Sequence, residues 1–210
     1  MTRPIDPEDL SCPAPRQDHD TVQLAHGSGG LLSHRLISEV FVRVFDNAEL
    51  NRQDDNAVLT ISGVRLAMST DSYVVDPVFF PGGDIGSLAV HGTINDLCTG
   101  GGRPVALCTG YVIEEGFSLA DLEKITHSMQ DAARTAGVDI VGGDTKVVDR
   151  GKADKIFINT SGLAVIEHRY EIHGGNVQPG DKIITTGTLG DHGIAILATR
   201  HELFVQSPIQ

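Results

Sequence analysis

The chain has no tryptophan, few aromatic residues, only three cysteines and little positive charge. Each shortage excludes something. Cys12, Cys98 and Cys108 are too few and too widely spaced for a disulfide framework, and they form no CxxC pair. The simple expectation is a reducing, cytoplasmic setting. With 16 Lys and Arg against 28 Asp and Glu, the net charge of −12 leaves no basic footprint for nucleic acid. No apolar run reaches the ~18 residues of a membrane helix, and residues 1–20 are rich in proline and charge, without the apolar stretch of a signal peptide. The nine histidines lack HExxH or paired zinc spacing, and no GxSxG elbow occurs. Aromatics at 5% within a hydrophobic fraction of 40% mean an aliphatic core of ordinary size.

Five clusters of Asp and Gly stand out: His26-Gly27-Ser28-Gly29-Gly30, Asp54-Asp55, Thr70-Asp71, Asn95-Asp96 and Gly142-Gly143-Asp144-Thr145-Lys146. Mg²⁺ takes oxygen ligands and keeps waters, and a polyphosphate completes its shell. Glycine lets backbone N–H groups come close to phosphates. Recurrent carboxylates beside glycine turns and strand ends therefore suggest a Mg²⁺–nucleotide site, and excess acidic charge does not oppose it, because bound cations mask such clusters.

Spacing supplies the elements. Leu32, Leu36, Val40, Phe41, Val44 and Phe45 recur at helical intervals after Gly30. Residues 57–61 and 64–70 read as strands around Ser62-Gly63, the second delivering Asp71 at its end. Asp84 caps a helix over about 85–99 that holds Gly86 and Gly92; each costs about 1 kcal/mol relative to Ala, which makes sense where something packs closely. Residues 104–113 form a strand. Ser118 opens a helix with the stripe Leu119, Leu122, Ile125, Met129, Ala132, Ala133 and Ala136, stopped by Gly137. Residues 138–141 are a strand leading into a glycine turn at Gly142, and 156–166 another strand. The expectation is a mixed α/β domain over 21–167, with helices on one face of the sheet and a second subunit on the other. Residues 1–20 form a disordered extension, and 168–210 begin an incomplete second domain with a strand at 182–186.

Taken singly, most clusters have a plainer reading. The His26–Gly30 loop precedes a helix N-terminus, which favours anions, but it also fits a mobile linker. Asp54-Asp55 fits a solvated turn. Asp96 is the exception: a carboxylate inside an otherwise apolar helix calls for a metal or a charge partner. Gly142–Lys146 is not a Walker A loop, yet a carboxylate for metal and an amine for phosphate make a coherent pair. Cys98 and Cys108 read as small core residues.

Taken together, the clusters resemble the PurM-like ATP-binding superfamily, which includes aminoimidazole ribonucleotide synthetase, selenophosphate synthetase and thiamine-monophosphate kinase. The strings from Leu24 to Gly30, from Ser69 through Phe79-Phe80-Pro81-Gly82-Gly83-Asp84-Ile85-Gly86, from Gly142 to Val148 and from Gly187 to Gly193 are similar to its hydrogenase-maturation branch, the HypE carbamoyl dehydratases. The resemblance covers residues 22 to about 200. It implies a lyase that accepts a carbamoyl group from the carbamoyltransferase HypF on a C-terminal Cys. ATP then drives dehydration of the S-carboxamide to a thiocyanate, and the cyanide passes through HypC–HypD to the iron of a [NiFe] hydrogenase.

The resemblance also implies residue roles. Asp54, Asp55, Asp71, Asp96 and Asp144 match the metal and nucleotide carboxylates. His26, Gly27, Ser28, Gly29 and Gly30 match the glycine-rich cover, with Asn95, Gly143 and Thr145 as further ATP contacts. Lys146 is the candidate for phosphate neutralisation or proton transfer. Asn56 replaces a usual Ala and is expected to matter little. The chain ends Ser207-Pro208-Ile209-Gln210 without the acceptor Cys, so turnover by these 210 residues alone is not expected. The alternatives are another PurM-like ATP enzyme, such as selenophosphate synthetase, or a non-catalytic dimerisation module.

Overall fold

The computed structural model describes residues 20–200. Of the expected extension over residues 1–20, all but Asp20 lies outside the described residues, as do Cys12 and the final segment from 201. Contacts divide the chain between Asn51 and Arg52 into two units, each described by itself. In the first, a 3₁₀ turn at Leu24–Gly27 leads through Gly29 (φ +76°) to α1 (Leu31–Leu36). The helix continues as a π-helical stretch, Ile37–Val42, and ends in α2 (Arg43–Phe45). The expected helix is there; its wider middle turns are not visible in residue spacing.

The second unit opens with a hairpin of β1 (Ala57–Ile61) and β2 (Val64–Tyr73). Ser62 (φ 51°) and Gly63 (φ 81°) are both left-handed, which matches the twist of a tight hairpin. A small hairpin, β3 (Phe79–Phe80) and β4 (Gly83–Asp84), was not expected from the pattern. It delivers Asp84, whose carboxylate accepts from the N–H groups of Gly86 (2.7 Å) and Ser87 (3.0 Å) and starts α3 (Ile85–Thr99). Then come β5 (Arg103–Glu114), α4 (Leu119–Ala136), β6 (Asp139–Val148), β7 (Ile156–Ile166) and α5 (Asp191–Arg200). Ser118 caps α4 and Gly137 ends it at φ +70°.

The sheet order is β1-β2-β7-β5-β6. All pairs are antiparallel except β5–β6, whose parallel register needs the α4 crossover. In the central strand β7 every second residue, from Ile156 through Ile158, Thr160, Gly162 and Ala164 to Ile166, is buried. That row faces α3 and α4, and Ile85, Val90, Leu107, Ile125 and Met129 complete the core. Each large aliphatic chain buried there stabilises by about 2 kcal/mol. The two α3 glycines have the expected reason. A Cβ at Gly86 would stand 2.6 Å from the Ile125 carbonyl oxygen of α4, and one at Gly92 would collide with the Tyr73 hydroxyl.

Five expectations are corrected. Asp71 lies inside β2, paired with Thr160, rather than at a strand end. Gly142–Lys146 is the body of β6 rather than a turn, because it hydrogen-bonds along β5 as an exposed edge. Cys98 and Cys108 are exposed rather than core residues, one on the outer side of α3 and one on β5. Leu119 is 82% exposed, since the stripe begins to bury only a turn later. Residues 182–186 form no strand, and Ile183 and Ile184 are exposed. On the sheet face opposite the helices, Leu66, Met68, Val112, Phe157, Leu163 and Val165 stand partly exposed.

Candidate functional site

Alternation along β2 sends Ser69, Asp71 and Tyr73 to the helix-covered face. There they meet the C-terminal half of α3, which brings Gly92, Thr93 and Asp96. The Tyr73 hydroxyl donates to Asp71 Oδ2 (2.9 Å) and lies 3.5 Å from Thr93 Oγ1. Thr93 and Thr160, both fully buried, share a hydrogen bond of 2.5 Å, and Thr160 donates to the Ala89 carbonyl (2.9 Å). The Ser69 hydroxyl is within reach of Asp96 Oδ2 (3.1 Å) and the Asp55 carbonyl (3.0 Å). Asn56 donates to the Asp96 carbonyl (2.8 Å) and to Thr99 Oγ1 (3.0 Å), tying the start of β1 to the end of α3. So Asn56 has a definite structural task, contrary to the expectation that it matters little.

The electrostatics are those of a site short of a cation. Burial first, then the charge of Asp71, raises the Asp96 carboxyl above its ordinary value; Asp55 adds to this, and the Ser69 hydrogen bond opposes it. Burial likewise pushes the Tyr73 hydroxyl up to about 12, helped by Asp71 and opposed by Thr93. No Lys or Arg pairs with Asp71 or Asp96 among the described residues. Nor do three acidic, His or Cys side chains converge there as a complete metal cage. Two neighbouring carboxylates suit Mg²⁺, which rarely takes an all-protein shell and completes its coordination with waters and phosphate oxygens.

The other expected residues are distributed as follows. Asp54 is engaged elsewhere: it accepts from Arg52 Nε (3.3 Å) and the Gly174 N–H (3.4 Å). The Asp55 side chain is exposed. Asn95 is exposed. Gly143 turns to the helix-covered face, because a Cβ there would meet Thr109, and Thr145 follows it in register with Tyr111. Asp144 and Lys146 pair with Gly110 and Val112 and project from the opposite face. Asp144 and Asp71 are three strand positions apart, about 14 Å, on different sides of one sheet. His26, Gly27, Ser28, Gly29 and Gly30 belong to the N-terminal unit.

Ser69 and Tyr73 entered the sequence reading only within a matched string, and no role was given to them, to Thr93 or to Thr160. The one pointer to them was Gly92, a helix glycine that demands a close neighbour.

A family model described as AIR synthase related protein, N-terminal domain, matches residues 53–166. The carbamoyl dehydratase HypE of Cupriavidus necator is 49% identical over 190 residues, covering 90% of this chain and 54% of that protein. The crystal structure of a HypE–HypF complex superposes with a TM-score of 0.76 at 49% identity, covering 83% of this chain and 56% of that one. That of HypE in complex with ATP does so with a TM-score of 0.65 at 53% identity, covering 90% and 56%. The chain spans about half the length of the relatives it matches. The mixed α/β layout expected from the sequence is the PurM-like fold that these similarities share.

Proposed function

The chain belongs to the AIR synthase related family through its N-terminal domain, and from that premise we propose that it serves the ATP-dependent dehydration of a protein-bound S-carboxamide to a thiocyanate in hydrogenase maturation. The observation that carries the reading is the half-buried pair Asp71 and Asp96, neighbours without a cationic partner among the described residues, in which burial and the charge of Asp71 raise the Asp96 carboxyl. Similarity to a HypE seen with ATP supports the same ligand here.

Asp71 and Asp96 would hold Mg²⁺, with Asp55 adding charge nearby and Asp54 as a further candidate ligand. Mg²⁺·ATP, when bound, supplies the phosphoryl group that makes a carboxamide oxygen a leaving group. The chain's own work is positioning. The Ser69 hydroxyl fixes Asp96, and the aliphatic core behind the pair keeps that wall of the site dry. Lys146 and Asp144 act from the open face, Lys146 as neutraliser of phosphate charge or as proton carrier. We assign residues 21–167 to the ATP-binding domain and 168–210 to the opening of a second.

The open face carries partly exposed apolar side chains and is assigned to a second copy of the chain. HypF and the HypC–HypD complex are the proposed partners, the first supported by similarity to a HypE–HypF complex. No helix among the described residues is long and apolar enough to cross a membrane, and a cytoplasmic location is proposed. The same open face favours one second reading, a dimerisation module without catalysis. Sedimentation and Mg·ATP calorimetry on one preparation separate the two: a Mg-dependent nucleotide isotherm is expected, and a dimer that ignores Mg·ATP would leave only the module.

A further inference from the structure

We propose that Tyr73 is a positioning residue of this site, its hydroxyl holding the Asp71 carboxylate in the orientation that faces the metal and nucleotide. The inference rests on the reading of Asp71 as a ligand given above and adds a residue that reading did not contain.

A proton inventory carries it. The Ala89 carbonyl can only accept, so the hydrogen of Thr160 is committed to it. Thr160 must then accept from Thr93 across their 2.5 Å contact, which commits the hydrogen of Thr93. Thr93 has none left for Tyr73, 3.5 Å away, and the Tyr73 hydrogen is directed to Asp71 Oδ2 at 2.9 Å. The hydrogens thus diverge: Thr93 and Thr160, both fully buried, point inward to the backbone of α3, and Tyr73 points outward to Asp71.

Space enforces the same arrangement. The Tyr73 hydroxyl occupies the place a side chain at Gly92 would need, so α3 leaves a slot where the ring ends. Packing alone would be served by phenylalanine. A tyrosine hydroxyl buried in such a slot is retained where it has an acceptor, and here the acceptor is a carboxylate without a cation. Hydrogen-bonding partners of metal-bound carboxylates typically change metal affinity by about 10–100-fold when removed.

The test uses the 210-residue chain and the variants Tyr73→Phe and Gly92→Ala, with calorimetry of ATP at increasing Mg²⁺. Tyr73→Phe is expected to raise the Mg²⁺ concentration for half-maximal ATP binding about tenfold. Gly92→Ala is expected to do the same by displacing the hydroxyl, with no further loss in the double variant. An unchanged Mg²⁺ requirement would overturn the proposal. So would a fall in the fraction of competent protein at an unchanged requirement, because that is the signature of a packing role. If the parent chain binds no Mg·ATP, the proposed function fails by itself, and ligand-free crystal structures decide the positioning. Asp71 in one orientation in the parent and turned away in Tyr73→Phe supports it; an unmoved Asp71 sinks it.

Discussion

The two faces of the central sheet are built from the same strands and do different things. The helix-covered face combines a dry aliphatic core with a polar row, in which Asp71, Tyr73, Thr93 and Thr160 lie side by side. The open face mixes Leu66, Met68, Leu163 and Val165 with Thr70, Asn159 and Ser161, and ends at the exposed strand β6 with Asp144 and Lys146. Asn159 Nδ2 bonds the Asp71 carbonyl (2.8 Å), so the two faces meet at one backbone position. The difference teaches that one β-strand can set a carboxylate in a hydrogen-bonded row on one side and leave apolar side chains partly exposed on the other. It also places Asp71 and Asp144 on opposite sides of one sheet.

The largest expected contrast is in stability. Leu107→Ala on the covered face should cost about 3 kcal/mol by urea unfolding, since the chain is 1% exposed and a cavity remains. Met68→Ala on the open face, 47% exposed, should cost less than about 1 kcal/mol. Equal losses would mean that the two faces are not distinct.

A smaller effect has the opposite sign. The folded chain holds the Asp96 proton more tightly than the unfolded chain does, because burial and Asp71 raise that carboxyl. Stability is therefore expected to fall as pH climbs from the unfolded carboxyl value through the folded one, and then to level. Asp96→Asn should remove that slope and raise the neutral-pH Tm by about 2 °C, while abolishing Mg·ATP binding. A lower Tm would show that the Asp96 charge has a partner and stabilises the fold.

Smallest of all, Lys146→Ala and Asp144→Asn on exposed β6 should move Tm by less than about 1 °C. If the open face belongs to the site, each will weaken Mg·ATP binding in the dimer. Unchanged binding would confine the site to the covered face.

The legible features were those governed by local chemistry. Asp84 and Ser118 as caps, Gly137 as a stop and the strand over 156–166 follow from capping and composition, and each stands where the residues placed it. Gly86 and Gly92 announced close packing without naming the partner. Face and register were not legible, because a strand reads alike whether its Asp points inward or outward. Gly142-Gly143-Asp144 looks like a turn in composition, yet hydrogen bonds to β5 hold it extended. The strand expected at 182–186 has no neighbour to pair with among the described residues. The hydroxyl row was hidden because Thr and Tyr are ordinary strand and helix residues until their side chains meet.

The central claim is that Asp71 and Asp96 make a cation-dependent nucleotide site on the covered face. Calorimetry of ATP with the parent chain and Asp71→Asn, each with Mg²⁺ and with a chelator, tests it most directly. Binding by the parent only when Mg²⁺ is present, and none by Asp71→Asn, is the predicted result. Binding that survives the chelator, or that Asp71→Asn retains in full, would contradict it.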